Sequence, residues 1–310
     1  GMAGLLAPYG PGRYHQSVVG RLRLTASAWR HTWATPPPAG AGSSVRVSSV
    51  TGLLAALADD AVGEIVVANG TYHVSTAASQ APDSLWIGAR YAGRTRPVTV
   101  RAETTGGVTF SGGGATAFGG LSFEAGAHDQ TWDGFVFADG QPTQTGVITF
   151  GGYAGLAAPH HISLRNISLA GSLTTPSGGA TDGGVYFSQA VGGPHDITID
   201  GLSVDGAGGL DFAVQFYHSS AGNPNAWNVS LRHLRVSGTQ QAIILWDPTV
   251  HDIAIEDSTI SAAELSAIRY EKGGTLTVRR TSSTGSGVAG FSSTLGPNPP
   301  EVTFIDSSLQ

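Results

Sequence analysis

The sequence has no cysteine among its 310 residues, which excludes disulfide cross-links and thiolate metal sites. Charge is scarce as well. Asp, Glu, Lys and Arg make up 12% of the chain, about half the usual ~25%, and Lys272 is the sole lysine beside the arginines. The formal net charge of −6 argues against nucleic acid or an anionic membrane as a partner. No apolar run reaches the ~18 residues of a membrane span. The opening stretch AGLLAPYGPGRYHQ lacks the basic start and continuous apolar core of a signal peptide. A cysteine-free chain still suits export, and the expected location is outside a bacterial cell or on its surface.

Glycine, by contrast, is abundant, at 45 residues, roughly twice the usual ~7%, and supplies turns with positive φ. The chain also repeats itself. GVITFGG from Gly146, GVYFSQ from Gly184, AVQFYH from Ala213, AIILWD from Ala242, AIRYEK from Ala267 and AGFSST from Ala289 are short strands with a small residue first. A turn and a second strand follow most of them: HHISLRNISL, HDITIDGLSV, WNVSLRHLRV, HDIAIEDSTI, TLTVRRTSS and EVTFIDSSL. Self-similarity of this kind marks a solenoid, and period-two alternation of Val, Ile, Phe and Thr makes its units strands. The fold expected is all-β: a single-stranded right-handed parallel β-helix of about nine coils.

Two spans are expected: residues 1–45 as an N-terminal arm with a Pro/Gly linker, and residues 46–310 as the β-helix. Within the arm, Val18–Trp33 reads as a strand or a loose helix. Ser48–Gly63 predicts a helix with Leu53, Leu54, Leu57 and Ala58 as its apolar stripe, capped by Thr51 or a nearby serine. It stands just before the first clear coil, EIVVANGTYHV, and its expected role is to cover that coil's open end.

Side chains of a strand alternate between two faces. One inward column should read Val147, Val185, Val214, Ile243 and Ile268, the next Thr149, Phe187, Phe216, Leu245 and Tyr270. The outward columns should read Ile148, Tyr186, Gln215, Ile244 and Arg269, then Phe150, Ser188, Tyr217, Trp246 and Glu271, with Gln189, His218, Asp247 and Lys272 just beyond. Tyr186, Gln215 and Trp246 are candidate binding residues for a polysaccharide or oligosaccharide, because an aromatic ring with a polar tip matches a sugar's apolar face and hydroxyl rim. The alternative is that the loop from Thr174 to Gly184 packs over this face.

Aligned by repeat, Asp182 and Asp211 lie on adjacent coils about 5 Å apart. Such a pair could serve a glycosidase, bind calcium or cap turns. His128, His160, His195, Trp227 and His251 share one repeat position and should form a structural ladder in which each side chain bonds the next coil's backbone. Lys272 can act as a base once it loses its proton, which an arginine cannot do.

The run GTY, a gap, then RPVTVRAETTGGVTFSG (Arg96–Gly112) resembles the opening coils of the alginate lyase and chondroitinase B family of β-helix polysaccharide lyases. ATDGG (Ala180–Gly184) resembles the NTDG element of β-helix pectin hydrolases. The first resemblance implies a lysine–arginine catalytic pair beside a calcium site, and Lys272 and Arg269 answer to that pair. The expected activity is β-elimination on a uronate polymer. Lys272 would be the base, Arg269 the charge stabiliser, and His218 or Tyr217 the proton donor to the leaving oxygen. Asp211, Asp247 and Glu271 would hold Ca²⁺. The alternatives are a hydrolase using Asp182 and Asp211, and a non-catalytic carbohydrate-binding or adhesin-like solenoid, dimeric or trimeric.

Overall fold

The computed structural model describes residue 34 and residues 36–75, 81–115, 118–141, 146–152, 155–170, 173, 183–206, 210–217, 222–294 and 301–310. Val18–Trp33 lie outside them. One coil shows the plan. Gly183–Ala190 belongs to an eight-stranded sheet, His195–Asp200 to a ten-stranded sheet and Ser203–Asp205 to a nine-stranded sheet. The next coil then restarts with Phe212–Tyr217 on the first sheet. Every pairing among the named strands is parallel and joins a coil to its neighbour. The chain is a parallel β-helix. No helix among the described residues is long and apolar enough to cross a membrane.

Inward side chains stack on their counterparts one coil away. Val185, Val214, Ile243 and Ile268 are in register and buried, as the repeat predicts. The Gly146 coil departs by one residue: Ile148 pairs with Val185 and Phe150 with Phe187. Ile148 and Phe150 therefore point inward and Thr149 outward, the reverse of the sequence reading. Packing explains the reversal. Phe150 stacks on Phe123 at 5.0 Å and on Phe187 at 4.8 Å, and Phe187 stacks on Phe216 at 4.6 Å. Outside, Thr149 donates to Ser122 at 2.7 Å. Val147 is buried just before the strand. Because all three candidates are apolar, the local pattern did not separate the two registers.

Sharp corners need left-handed residues. Between the ten- and nine-stranded sheets, Asn166, His233 and Asp257 all have φ of 50°. Gly134 and Gly201 take the same corner at 87° and 85°. Asn and Asp tolerate this region better than most side chains. Just before that corner, on the outside, runs a register-aligned column of alternating sign: Arg101, Asp133, Arg165, Asp200, Arg232, Glu256, Arg279. Coils stand about 4.8 Å apart, where a like-charge pair costs about 1 kcal/mol even in bulk water. Alternation turns that repulsion into attraction.

At the N-terminal end the helix is Val50–Ala58, with Ser49 as its cap accepting from the Gly52 amide at 3.0 Å. Val50, Leu53, Leu54 and Leu57 are buried, whereas Ala58 is exposed. The buried Arg94 donates to the carbonyls of Leu57, Asp59 and Val62 at 2.8, 2.7 and 2.6 Å, satisfying groups that a helix end leaves orphaned. The first strand, Ser43–Val47, straddles the expected boundary at residue 45. Ala34 reaches the outside of the ten-stranded sheet. Its amide donates to Ser230 Oγ at 3.3 Å and its carbonyl accepts from Thr198 Oγ1 at 3.2 Å.

Phe187 lies mid-stack and fully buried. Phe187→Ala should cost about 3–5 kcal/mol, read as a lower urea midpoint of the circular dichroism signal.

Candidate functional site

The outer face of the eight-stranded sheet carries most of the candidate residues. One column runs through Thr149, Tyr186, Gln215, Ile244 and Arg269. It is not the open groove the sequence suggests. Tyr186, Gln215, Ile244 and Arg269 are only 8%, 1%, 1% and 6% exposed. Among the described residues, long side chains lean on one another. The Tyr186 ring lies 6.3 Å from that of Tyr217, and the Arg269 guanidinium sits 5.0 Å from the centre of the Trp246 ring. Gln215 is the costly member, since among the described residues neither its amide nitrogen nor its oxygen has a hydrogen-bond partner. A buried orphan polar group costs about 1–3 kcal/mol.

The second column is the more accessible one. Tyr217 and Trp246 are half-buried and in register, and Trp246 pairs with the exposed Lys272. The register shift there makes Glu271 the bulged residue, a device that re-aims side chains at the end of a strand. Glu271 turns onto Arg269, whose Nε donates to it, and accepts from Thr294 Oγ1 at 2.5 Å. The Arg269 charge is thereby compensated, while Lys272 projects beside Trp246.

Asp247 is fully buried at the end of the Gln241–Trp246 strand. Its carboxylate accepts from the Thr249 amide and hydroxyl at 2.8 and 2.6 Å, and from Asn225 and Gln189 at 3.4 Å. Asn225 in turn donates to the carbonyls of Tyr217 at 2.8 Å and Phe187 at 3.2 Å. Asp247 and Gln189 thus form a polar hub that holds the turn beneath the Tyr217–Trp246 edge.

Asp211 precedes the Phe212–Tyr217 strand, at the other end of the sheet from Asp247 and Glu271. Six strand residues span about 20 Å, far beyond the 2.3–2.6 Å reach of calcium ligands. Asp211, Asp247 and Glu271 do not fit one Ca²⁺, and no group of three or more acidic or histidine side chains among the described residues is placed to hold a metal. Asp182, His218 and most of the loop from Thr174 to Gly184 lie outside the described residues.

The histidine column is a ring stack. His128, His160, His195, Trp227 and His251 follow one another at 5.4, 5.2, 4.5 and 5.9 Å, their ring planes nearly parallel. The expected bond to the neighbouring coil's backbone appears in Trp227, which donates to the Gly192 carbonyl at 3.0 Å, and in His128 near the Ala92 carbonyl at 3.4 Å. His160 and His195 instead bond carbonyls two residues back in their own coil. Burial, with the neighbouring imidazoles adding to it, holds the His160 ring below the usual histidine range.

Sequence reasoning missed Glu124, on the same outer face. Its Oε1 accepts from Ser122 Oγ at 2.7 Å, continuing the bond from Thr149. A side chain at Gly152, which has φ of 114°, would meet Glu124 Oε2 at 2.3 Å. Burial pushes the Glu124 carboxyl above its ordinary value, and the Ser122 bond opposes the shift only in part. A lone glutamate in LSFEAG carries no repeat signal; only the missing side chain of a glycine on the next coil makes room for it.

The raised carboxyl sets a sign for pH. Its contribution is complete while it is protonated and is lost as pH rises through the raised value. Glu124→Gln should therefore melt at a higher temperature than the wild type near pH 8, with the difference closing toward about pH 4. Gln215→Met, which removes the orphan amide at similar volume, should gain about 1 kcal/mol in urea unfolding.

No protein-family model and no curated protein matches the chain. Among solved structures, a PL6 family alginate lyase, AlyGC, aligns at TM-score 0.49 and 15% identity, over 79% of this chain and 35% of that one. A mannuronic acid-specific family 6 polysaccharide lyase from human gut microbiota aligns at 0.46 and 12%, over 74% and 55%. The surface protein and adhesin PfbA of Streptococcus pneumoniae aligns at 0.42 and 8%, over 86% and 89%. The chain spans less than two thirds of either lyase, and the likeness is one of fold.

Proposed function

We propose that this protein is a carbohydrate-active β-helix that cleaves an acidic, uronate-containing polysaccharide by β-elimination along the Tyr217–Trp246–Lys272 edge. The observation that carries this reading is the pairing of the exposed Lys272 with the half-buried Trp246, on strands held rigid by the coils on either side. Trp246 offers a sugar ring an apolar platform. Lys272 offers an amine at the platform's rim, on the substrate side.

β-Elimination begins when a base removes the proton at C5 of the uronate, and it needs positive charge near the enolate that forms. Lys272, once deprotonated, takes that proton. Arg269 stays cationic beneath Trp246, but Glu271 compensates it; its part is to fix the ring and steady the bulge that presents Lys272. Tyr217 lies one coil from Trp246 and supplies a phenol to protonate the leaving oxygen. The products are a new reducing end and an unsaturated uronate.

The burial of Tyr186, Gln215 and Arg269 favours a second reading, a binding solenoid without chemistry, and one experiment separates the two. Incubation with a panel of uronate polymers should give product absorbing near about 235 nm, the usual signature of an unsaturated uronate, an assay choice of the kind used to assign reaction class. Lys272→Ala should abolish that product while leaving polymer binding intact, and Trp246→Ala should weaken binding about tenfold or more. Full activity in Lys272→Ala would remove the mechanism. Binding with no cleavage of any polymer would leave the adhesin-like reading.

A further inference from the structure

Among the described residues, the nine-stranded sheet carries an open outer face. Two adjoining depressions lie along its outside, of about 520 and 490 Å³, and they share Ser203 and Arg235. Each is of the size that holds a small ligand, about 300–1,000 Å³. Arg235 pairs in register with Ser203 on one side and Thr259 on the other, and all three are exposed.

Most arginines of the described fold are spoken for. Arg46 is held by Glu103, Arg94 by three carbonyls, Arg101 by Glu64 and Arg280 by Asp257. Among the described residues, the Arg235 side chain makes no hydrogen bond or ion pair, and neither do the side chains of Ser203, Ser237, Thr259 and Ser261, which line the same depression. Asp205, two residues beyond Ser203, is engaged in an interaction of its own. His233 at the rim is tied to Asp200 at 2.6 Å. The result is a guanidinium in a shallow trough of unpaired hydroxyls that recur at the coil spacing.

We propose that this trough is a second saccharide-binding site in which Arg235 grips the carboxylate of an acidic sugar residue, on a different sheet from the Lys272 edge. A guanidinium matches a carboxylate with two parallel hydrogen bonds, and serine and threonine hydroxyls both donate to and accept from sugar hydroxyls. The trough runs across the coils, so a chain laid along it meets one hydroxyl-bearing strand after another. A neutral sugar would leave the guanidinium unpaired. A polyphosphate would find one cation on a chain of net charge −6. The site rests on the reading that the ligand is an acidic polysaccharide, and it gives the protein a hold on the polymer away from the point of cleavage.

The test uses the full chain carrying Lys272→Ala, which cannot turn the ligand over. Hexamannuronate and hexagalacturonate are titrated in, with cellohexaose as the neutral control, while the Arg235 side-chain Nε–H signal is followed by NMR and identified by its loss in Arg235→Lys. The signal should move and saturate with an acidic hexamer and stay still with cellohexaose. Trp246→Ala should leave that movement unchanged, and Arg235→Ala should weaken retention on immobilised polymer about tenfold, while Arg235→Ala made alone, with Lys272 intact, should cleave short oligomers at the wild-type rate. A stationary Arg235 signal, or an equal response to cellohexaose, overturns the site. Because cleavage is assayed separately, a moving signal with no cleavage would refute the lyase reading alone, and cleavage with a stationary signal would refute the second site alone.

Discussion

Every feature of this chain answers to one constraint: each side chain must sit directly over its counterpart one coil away, about 4.8 Å along the stack. That distance suits flat rings and branched aliphatics. It allows the phenylalanine stack through Phe123, Phe150, Phe187 and Phe216 and the aliphatic column through Val185, Val214 and Ile243. A polar residue among these columns needs a partner inside: Gln130, in register between Val98 and Ile162, accepts from Trp132 Nε1 at 3.0 Å. The repeat in the sequence is the written form of that rule.

Outside, the same closeness sorts polar groups. The alternating column from Arg101 to Arg279 keeps like charges two coils apart. The imidazoles from His128 to His195 lie face against face, and at the middle one, His160, burial with the neighbouring rings adding to it favours the neutral form. These columns consume ionisable groups in structure. Fewer remain for chemistry than the composition suggests, and on the eight-stranded sheet two carboxylates stand where the backbone is irregular. Glu271 is bulged out of the Lys272 strand, and Glu124 faces a glycine with positive φ.

The three sheets differ in what their outer faces can do. On the eight-stranded sheet, tyrosine, glutamine and arginine side chains fold over one another and leave one edge accessible. The ten-stranded sheet carries a strip of small hydroxyls onto which Ala34 docks through Thr198 and Ser230. The nine-stranded sheet keeps short, exposed hydroxyls around Arg235. Short side chains cannot cover a face, whereas long ones can, so the length of the outward residues decides which surface stays open.

Much of the fold was legible in the chain. The repeat specified parallel coils, the columns through residues 185, 214, 243 and 268, the N-terminal helix and the ladder at His128 to His251, because strand periodicity and in-register stacking are local rules applied many times. The coil at Gly146 was misread by one residue because Val147, Ile148 and Phe150 are all apolar, and only the neighbouring phenylalanines chose between them. The candidate site was less legible. That Asp211 stands at the other end of the sheet from Asp247 depends on where a strand begins, and that Arg269 is neutralised by Glu271 depends on a bulge. Glu124 acquired its burial from a glycine on the next coil. The sequence by itself determined which residues repeat. The tertiary structure decided which of them meet, because contact between coils is set by three-dimensional register and by the space a neighbour leaves, and neither is a property of one strand.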